Sequence, residues 1–191
     1  MTDHTLYITG AGVSAESGIP TFRGTDGFWT VGSQNYTPQE MATRQMYLSN
    51  PDEFLLWYFK RFASYRHIKP NTVHHWLADK RLVTQNIDGL DGKAGNASYV
   101  PIHGRLDKVT LLHEQGLDVP LIDAPWEEVA AACDDLDDSA SLAPILLDAF
   151  KISKKTLIPE PDVSLKPFVL LFDEYYTCLL YTSPSPRDLS T

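Results

Sequence analysis

Cysteine, basic residues and long apolar runs are all scarce in this sequence, and each shortage excludes a class of protein. Two cysteines among 191 residues cannot form a disulfide framework or a site of four thiolates. No apolar run reaches the roughly 20 residues that span a bilayer. The N-terminal Met-Thr-Asp-His also lacks the basic and apolar parts of a secretion signal. We therefore expect a cytoplasmic protein without a membrane partner.

The balance of charge is acidic. Sixteen Lys and Arg residues stand against 25 Asp and Glu, which gives a net charge of -9. Because nucleic-acid phosphates are bound by clustered cations, no nucleic-acid partner is expected.

The stretch from Thr5 to Pro20 carries the strongest local signal. A short apolar run, 5–8, predicts a buried strand that ends in a glycine turn. Gly10, Gly12 and Ala15 then fit the pattern G-x-G-x-x-[GA], in which two glycines let the backbone approach a pyrophosphate and the third position packs helix on strand. Ser-Gly-Ile-Pro at 17–20 should stop that helix almost at once. This early stop disfavours an ordinary nicotinamide-dependent dehydrogenase.

Three motifs in order resemble those of the sirtuins, the NAD-dependent protein lysine deacylases, of the bacterial type. They are GAGVSAESGIPTFR at 10–23, TQNID at 84–88 and His-Gly at 103–104. The resemblance implies an α/β fold, with a Rossmann-like parallel sheet, an inserted small helical lid and a zinc-free small module. It also implies NAD as a consumed co-substrate and acyl-lysine proteins or peptides as partners.

The resemblance assigns the site residues. Asn86 and His103 would be catalytic, with His103 at a strand tip as a general base and Asp88 receiving the nicotinamide carboxamide. A simple Asx turn is the alternative interpretation of 85–88. The NAD-binding residues implied are Gly10, Ala11, Gly12, Ser14, Ala15, Phe22, Arg23, Gln85, Asn86, Ile87 and Asp88.

Four residues are assigned to the substrate. Tyr58 and Arg61 lie three apart on a predicted helix from Asn50 to about His67. A Tyr-x-x-Arg pair at the equivalent place grips acidic acyl groups in some sirtuins, whereas a core tyrosine and a surface arginine form the alternative. Val169 and Leu170 would pair with the peptide backbone. Asp173 replaces the family's usual glycine.

The region after His103 departs from most sirtuins, because it lacks the two Cys-x-x-Cys pairs of a zinc ribbon. We expect no structural zinc there, and a module of one strand and two helices held by apolar packing. His74 and His75 cannot share an ion, since neighbouring helical side chains point about 100° apart, and His74 is expected in a core or capping role. The residues expected to pack the module are Trp126, Val129, Leu136, Leu146, Leu147 and Phe150.

The predicted organisation is one catalytic domain followed by a foreign tail. Residues 178–191 begin with CLLYTSPSPRD, which resembles a translated sequencing adapter, so this tail is expected to be an artefact. The domain is expected to lack the family's C-terminal strands. The predicted parts are a Rossmann core (1–25, 70–104 and 166–177), a helical insert (26–69) and a small module (105–165), all within 1–177.

Two other functions use the same features. A mono-ADP-ribosyltransferase would cleave NAD in the same way and pass ADP-ribose to another acceptor. A sensor would bind NAD or ADP-ribose without turnover. Transfer of label from NAD distinguishes the first, and release of free nicotinamide excludes the second.

Overall fold

The computed structural model describes residues 5–21, 36–61, 63–113 and 120–174. Phe22, Arg23 and the tail 178–191 lie outside the described residues.

A parallel sheet of three strands carries the glycine turn. The strands are β1 (Leu6–Thr9), β2 (Arg81–Thr84) and β3 (Val100–Pro101), in the order β1-β2-β3. Leu6 pairs with Arg81 and Thr9 with Thr84, so β1 and β2 end together. On β1, Leu6 and Ile8 are exposed, which differs from the expected buried strand because β2 is its only partner within the described segments.

The glycine turn leads into a short 3₁₀ helix, Ala11–Ser17, which ends at Gly18. Gly18 ends it with φ +92°, a left-handed conformation that favours glycine, and its N–H donates to Ala15 O at 2.9 Å. The predicted helix stop is confirmed. Ala15 is nevertheless exposed, so the prediction that it packs helix on strand is wrong. The reason is that so short a helix does not run back across the sheet.

The helical insert consists of α1 (Pro38–Met41), α2 (Arg44–Ser49) and α3 (Pro51–Arg61). Thr37 and Glu40 form a capping box at α1, with Thr37 N donating to Glu40 Oε2 at 2.8 Å. The helix predicted to reach His67 instead ends at Arg61 and is followed by a 3₁₀ helix, Ala63–His67. There Ile68 N bonds to Tyr65 O, three residues back, which tightens the chain.

A second sheet is antiparallel and lies in the order β5-β4-β6. Its strands are β4 (Gly104–Leu111), β5 (Ile122–Asp123) and β6 (Leu165–Val169). The sequence analysis places 166–177 in the Rossmann core with the parallel strands, but β6 hydrogen-bonds to β4 of the second sheet instead. The exit from β3 explains this, because His103 and Gly104 carry the chain directly into the long strand β4, which offers β6 a complete edge.

Four further helices lie in the part of the chain that the structure describes. They are α4 (Thr72–Leu77) and α5 (Leu90–Lys93) beside the parallel sheet, and α6 (Trp126–Ala132) and α7 (Ser139–Ala149) in the small module. No helix in the described segments has the length and apolarity needed to cross a bilayer.

The helical insert and the small module share one hydrophobic core. Trp126 of α6 stacks on Tyr58 of α3, with ring centroids 5.8 Å apart, and lies 5.3 Å from Phe150. Its indole N–H donates to Leu106 O at 2.7 Å. The predicted apolar packing of the module is confirmed except at Leu136, which is exposed.

Candidate functional site

Three chain segments that are far apart in sequence meet at the carboxyl ends of the parallel strands. The glycine turn follows β1, the segment 85–88 follows β2, and His103 follows β3. Backbone bonds join them, since Gln85 N donates to Thr9 O and Ile102 N to Thr84 O, both at 3.0 Å. This edge is where open α/β sheets bind ligands.

Ser14 is the centre of a buried polar cluster at this edge. Asn86 Nδ2 donates to Ser14 Oγ at 3.1 Å and to Gly10 O at 3.2 Å. Ser14 Oγ donates in turn to Asp88 Oδ2 at 2.6 Å. The other oxygen of Asp88 accepts from Leu90 N at 2.9 Å. All three polar side chains are therefore held in fixed orientations by one another and by the backbone.

His74 joins this cluster, which the sequence reasoning did not foresee. Its Nε2 lies 3.4 Å from Ser14 Oγ, and its Nδ1 lies 3.2 Å from the backbone N of Asn71, the N-cap of α4. The predicted core or capping role is confirmed, since His74 is buried and caps α4, and the contact with Ser14 is additional. Burial lowers the pKa of His74, so the neutral imidazole is favoured despite the charge of Asp88. The sequence offered one signal for this role, because His74 follows Asn71, a typical helix N-cap residue, by three positions.

Asp91 is a second residue that was missed. It is 2% exposed on α5 and interacts with the Thr84 hydroxyl, while its Oδ1 has no hydrogen-bond partner among the described residues. Burial, followed by the nearby charge of Asp88, raises the pKa of Asp91 to about 6. Thr84 Oγ1 also accepts from Thr9 Oγ1 at 2.9 Å and from Asn86 N at 3.2 Å. Thr84 thus links the buried carboxyl of Asp91 to the backbone N–H of Asn86.

One hydrogen bond sets the tautomer of His103. Its Nδ1 lies 2.8 Å from Gln85 O, and because a carbonyl oxygen can only accept, Nδ1 is the donor. The lone pair of the neutral ring is then on Nε2. The side chain is partly exposed, as a proton acceptor for a bound substrate must be.

Gly104 fixes the backbone just after His103. Its φ is +88°, and a Cβ at this position would lie 2.1 Å from Phe168 O. The carbonyl of His103 accepts from Leu170 N at 2.9 Å. Val169, which ends β6, and Leu170, which follows it, are the predicted peptide-pairing residues, and they therefore lie beside His103.

The glycine turn leaves room for a ligand. A Cβ added at Gly10 or at Gly12 would meet no atom within 4 Å among the described residues. Open glycine backbone beside buried amide and carboxylate groups fits a pyrophosphate and a carboxamide, the two ends of a dinucleotide. The residues placed here are thus compatible with NAD, which would supply an electrophilic sugar carbon.

Tyr58 and Arg61 lie outside the hydrogen bonds that join Ser14, Asn86 and Asp88. The ring of Tyr58 is 1% exposed and stacks between Trp126 and Phe54, with centroids 5.8 Å and 5.9 Å away. Burial, with a smaller effect from Asp107, raises the pKa of Tyr58, so its hydroxyl stays neutral. The ring is a core residue, as the alternative interpretation held. Arg61 is partly exposed at the end of α3.

No group of three or more His, Cys, Asp or Glu side chains within the described ranges is placed to hold a metal ion. Cys133 is buried, and its thiol lies 3.2 Å from Asp135 O. The absence of structural zinc stays a prediction from the cysteine count.

Comparison with known proteins identifies relatives of one kind. Residues 10–177 match the model of the Sir2 family. The chain is 40% identical over 134 residues to NAD-dependent protein deacylase 1 of Caldanaerobacter subterraneus, covering 64% of this chain and 54% of the relative. It is 42% identical over 108 residues to NAD-dependent protein deacylase 1 of Archaeoglobus fulgidus, covering 53% and 42%.

Comparison with solved structures also finds Sir2 homologues. The crystal structure of a Sir2 homologue in complex with NAD superposes with a TM-score of 0.61 at 28% identity, covering 92% of this chain and 60% of that one. The chain spans about half the length of the curated relatives it matches.

Proposed function

Because the chain belongs to the Sir2 family, we propose that it is an NAD-dependent protein lysine deacylase that releases nicotinamide and O-acyl-ADP-ribose. The observation that carries the proposal is the convergence of the Ser14, Asn86 and Asp88 cluster with the His103 ring at one sheet edge. Its similarity to two NAD-dependent protein deacylases supports it.

In the first step, the buried cluster would hold the nicotinamide end of NAD. The carboxylate of Asp88 would receive the carboxamide, and Asn86, fixed by its bonds to Gly10 O and Ser14 Oγ, would lie beside the sugar. As the nicotinamide bond breaks, positive charge develops on the ribose, and the acyl-lysine carbonyl oxygen attacks from the opposite face. An amide oxygen is a weak nucleophile, so most of the rate would come from holding it in line.

In the second step, His103 would act as the general base. With the proton on Nδ1 held toward Gln85 O, Nε2 can take a proton from a ribose hydroxyl. That oxygen then attacks the imidate carbon, and the lysine amine leaves after it takes up a proton. A water molecule adds to the cyclic cation that remains, which leaves the acyl group on a ribose oxygen. Phe22 and Arg23, outside the described residues, are proposed to cover the reacting centre and to meet phosphate.

The acyl group is a finer question. An arginine fork could bind a succinyl or malonyl carboxylate, whereas an acetyl group would leave the cation without that partner. Since the Tyr58 ring is in the core, this hypothesis now depends on Arg61. Rates on succinyl and acetyl peptides should be compared for the wild type and Arg61→Met. If the variant loses activity on neither peptide, acidic acyl groups are not its substrates.

The test of the main proposal is a product analysis. The purified chain is incubated with NAD and an acetyl-lysine peptide, and nicotinamide and O-acetyl-ADP-ribose are measured by mass spectrometry. His103→Ala should lower kcat by roughly 10²–10⁴, and the matched variant His75→Ala, at an exposed position on α4, should not. Label transferred from NAD to protein would indicate an ADP-ribosyltransferase, and binding without nicotinamide release would indicate a sensor.

A further inference from the structure

The segment that follows β6 is bonded to the helical insert. Phe172 N donates to Ala42 O at 3.0 Å. One carboxylate oxygen of Asp173 accepts from Arg44 N at 2.5 Å, and the other accepts from Gln45 N at 2.9 Å. These are the first two N–H groups of α2, which have no partner inside the helix. Asp173 therefore closes the N-terminus of α2 from outside, next to its own N-cap Thr43.

The next residue, Glu174, makes a second and buried link. Its Oε2 accepts from Lys166 Nζ and from Leu171 N, both at 3.0 Å, and its Oε1 accepts from Arg44 Nη1 at 3.1 Å. Lys166 Nζ also donates to Val169 O at 3.1 Å. Lys166 and Glu174 each leave only 8% of the side chain exposed, so this ion pair is well shielded from solvent.

Asp173 occupies its position without backbone strain. Among the described residues, the non-glycine positions with positive φ are Lys151, Leu157 and Asp162. The usual family glycine is therefore not needed here for a left-handed conformation. A glycine would remove both carboxylate acceptors and leave the first turn of α2 with fewer partners.

We propose that Asp173 is a positioning residue for the peptide substrate, an inference that rests on the proposed function. By closing α2, it holds Val169 and Leu170, the backbone expected to pair with the peptide, against the helical insert. Leu170 also bonds to His103 O, so the same link sets the distance from peptide to base. An edge that is ordered beforehand binds an extended peptide with less loss of conformational freedom.

The experiment measures peptide affinity in the full chain. Asp173→Gly should raise the Kd of a fluorescent acetyl-lysine peptide, measured by anisotropy, and its KM by about tenfold. The values of kcat and of KM for NAD should stay within about twofold. Asp173→Asn, whose amide oxygen can still accept, should restore the peptide Kd to within about threefold of wild type.

Asp138 provides the matched control. It closes α7 by accepting from Ala140 N at 3.0 Å and from Ser141 Oγ at 2.5 Å. Asp138→Gly should lower the melting temperature about as much as Asp173→Gly and leave the peptide Kd unchanged.

Three results would overturn the inference while the proposed function stands. They are an unchanged peptide Kd in Asp173→Gly, an equal rise in Asp138→Gly, and a fall in kcat that matches the rise in KM. If the wild type releases no nicotinamide, the proposed function fails and this inference fails with it.

Discussion

At the scale of single residues, Ser14 and Ser17 lie in the same 3₁₀ helix but in opposite situations. Ser14 Oγ accepts from Asn86 and donates to Asp88, whereas the buried Ser17 Oγ has no hydrogen-bond partner among the described residues. Ser14→Ala should lower the free energy of unfolding by about 1–3 kcal/mol, because it removes a partner from two buried polar groups.

The matched variant Ser17→Ala should change the free energy of unfolding by less than about 0.5 kcal/mol. Urea unfolding of both variants measures the difference, and isothermal titration with NAD should show weaker binding for Ser14→Ala alone. Equal effects in the two variants would contradict the role given to Ser14.

Asp91 makes the stability of the site depend on pH. Its folded-state pKa of about 6 lies above the ordinary value of 3.8, so folding favours the protonated form. Stability from this group is complete below pH 4 and is lost as the pH rises through about 6. Asp91→Asn, which cannot ionise, should raise the melting temperature by roughly 2–8 °C at pH 8.

At pH 4 the same variant should melt within about 2 °C of the wild type. Calorimetry at both values of pH provides the measurement. An equal shift at pH 4 and pH 8 would mean that the charge of Asp91 is not what the substitution relieves.

At the scale of elements, glycine is needed for different reasons after two strands. Gly12 lies in the turn that follows β1, and Gly104 lies two residues beyond Ile102, where the chain leaves β3. Gly104→Ala would drive a Cβ into Phe168 O and hold a side chain at φ +88°. It should therefore destabilise the protein by about 2–4 kcal/mol. A Cβ added at Gly12 would meet no described atom. Gly12→Ala should therefore change the free energy of unfolding by less than about 1 kcal/mol, while it weakens the binding of NAD.

Thermal unfolding and NAD titration of both variants separate the two roles. A stable Gly104→Ala protein would show that β4 and β6 can move apart without loss.

Local chemistry explains which elements the sequence predicts. The helix stop at Gly18 and the capping box of Thr37 and Glu40 depend on neighbouring residues, and both are present in the fold. The pairing of β6 with β4 depends on competition between two sheet edges, which no single segment encodes. The same is true of the site, because His74 and Ser14 meet across 60 positions. Asp91 was missed since its burial follows from packing.

At the scale of the whole molecule, Trp126 joins the helical insert to the small module. Its ring contacts Tyr58, Phe59 and Phe150 and is 2% exposed. Trp126→Ala should lower the free energy of unfolding by about 3–5 kcal/mol. Trp76, which is 55% exposed, is the control, and its alanine variant should lose less than about 1 kcal/mol.

Because this core packs the small module by apolar contacts, we expect the module to fold without zinc. Incubation with EDTA should leave the melting temperature of the wild type unchanged, and elemental analysis should find less than about 0.1 zinc per chain. Unfolding by the chelator, or stoichiometric zinc, would contradict a module held by apolar packing.

His103 is the joint at which the two sheets meet. Its imidazole is bonded to the exit of β2, its carbonyl to the segment after β6, and the next residue begins β4. Because the ring and the carbonyl of this one residue are bonded to segments of both sheets, a substitution that shifts one sheet against the other should also change the orientation of the imidazole.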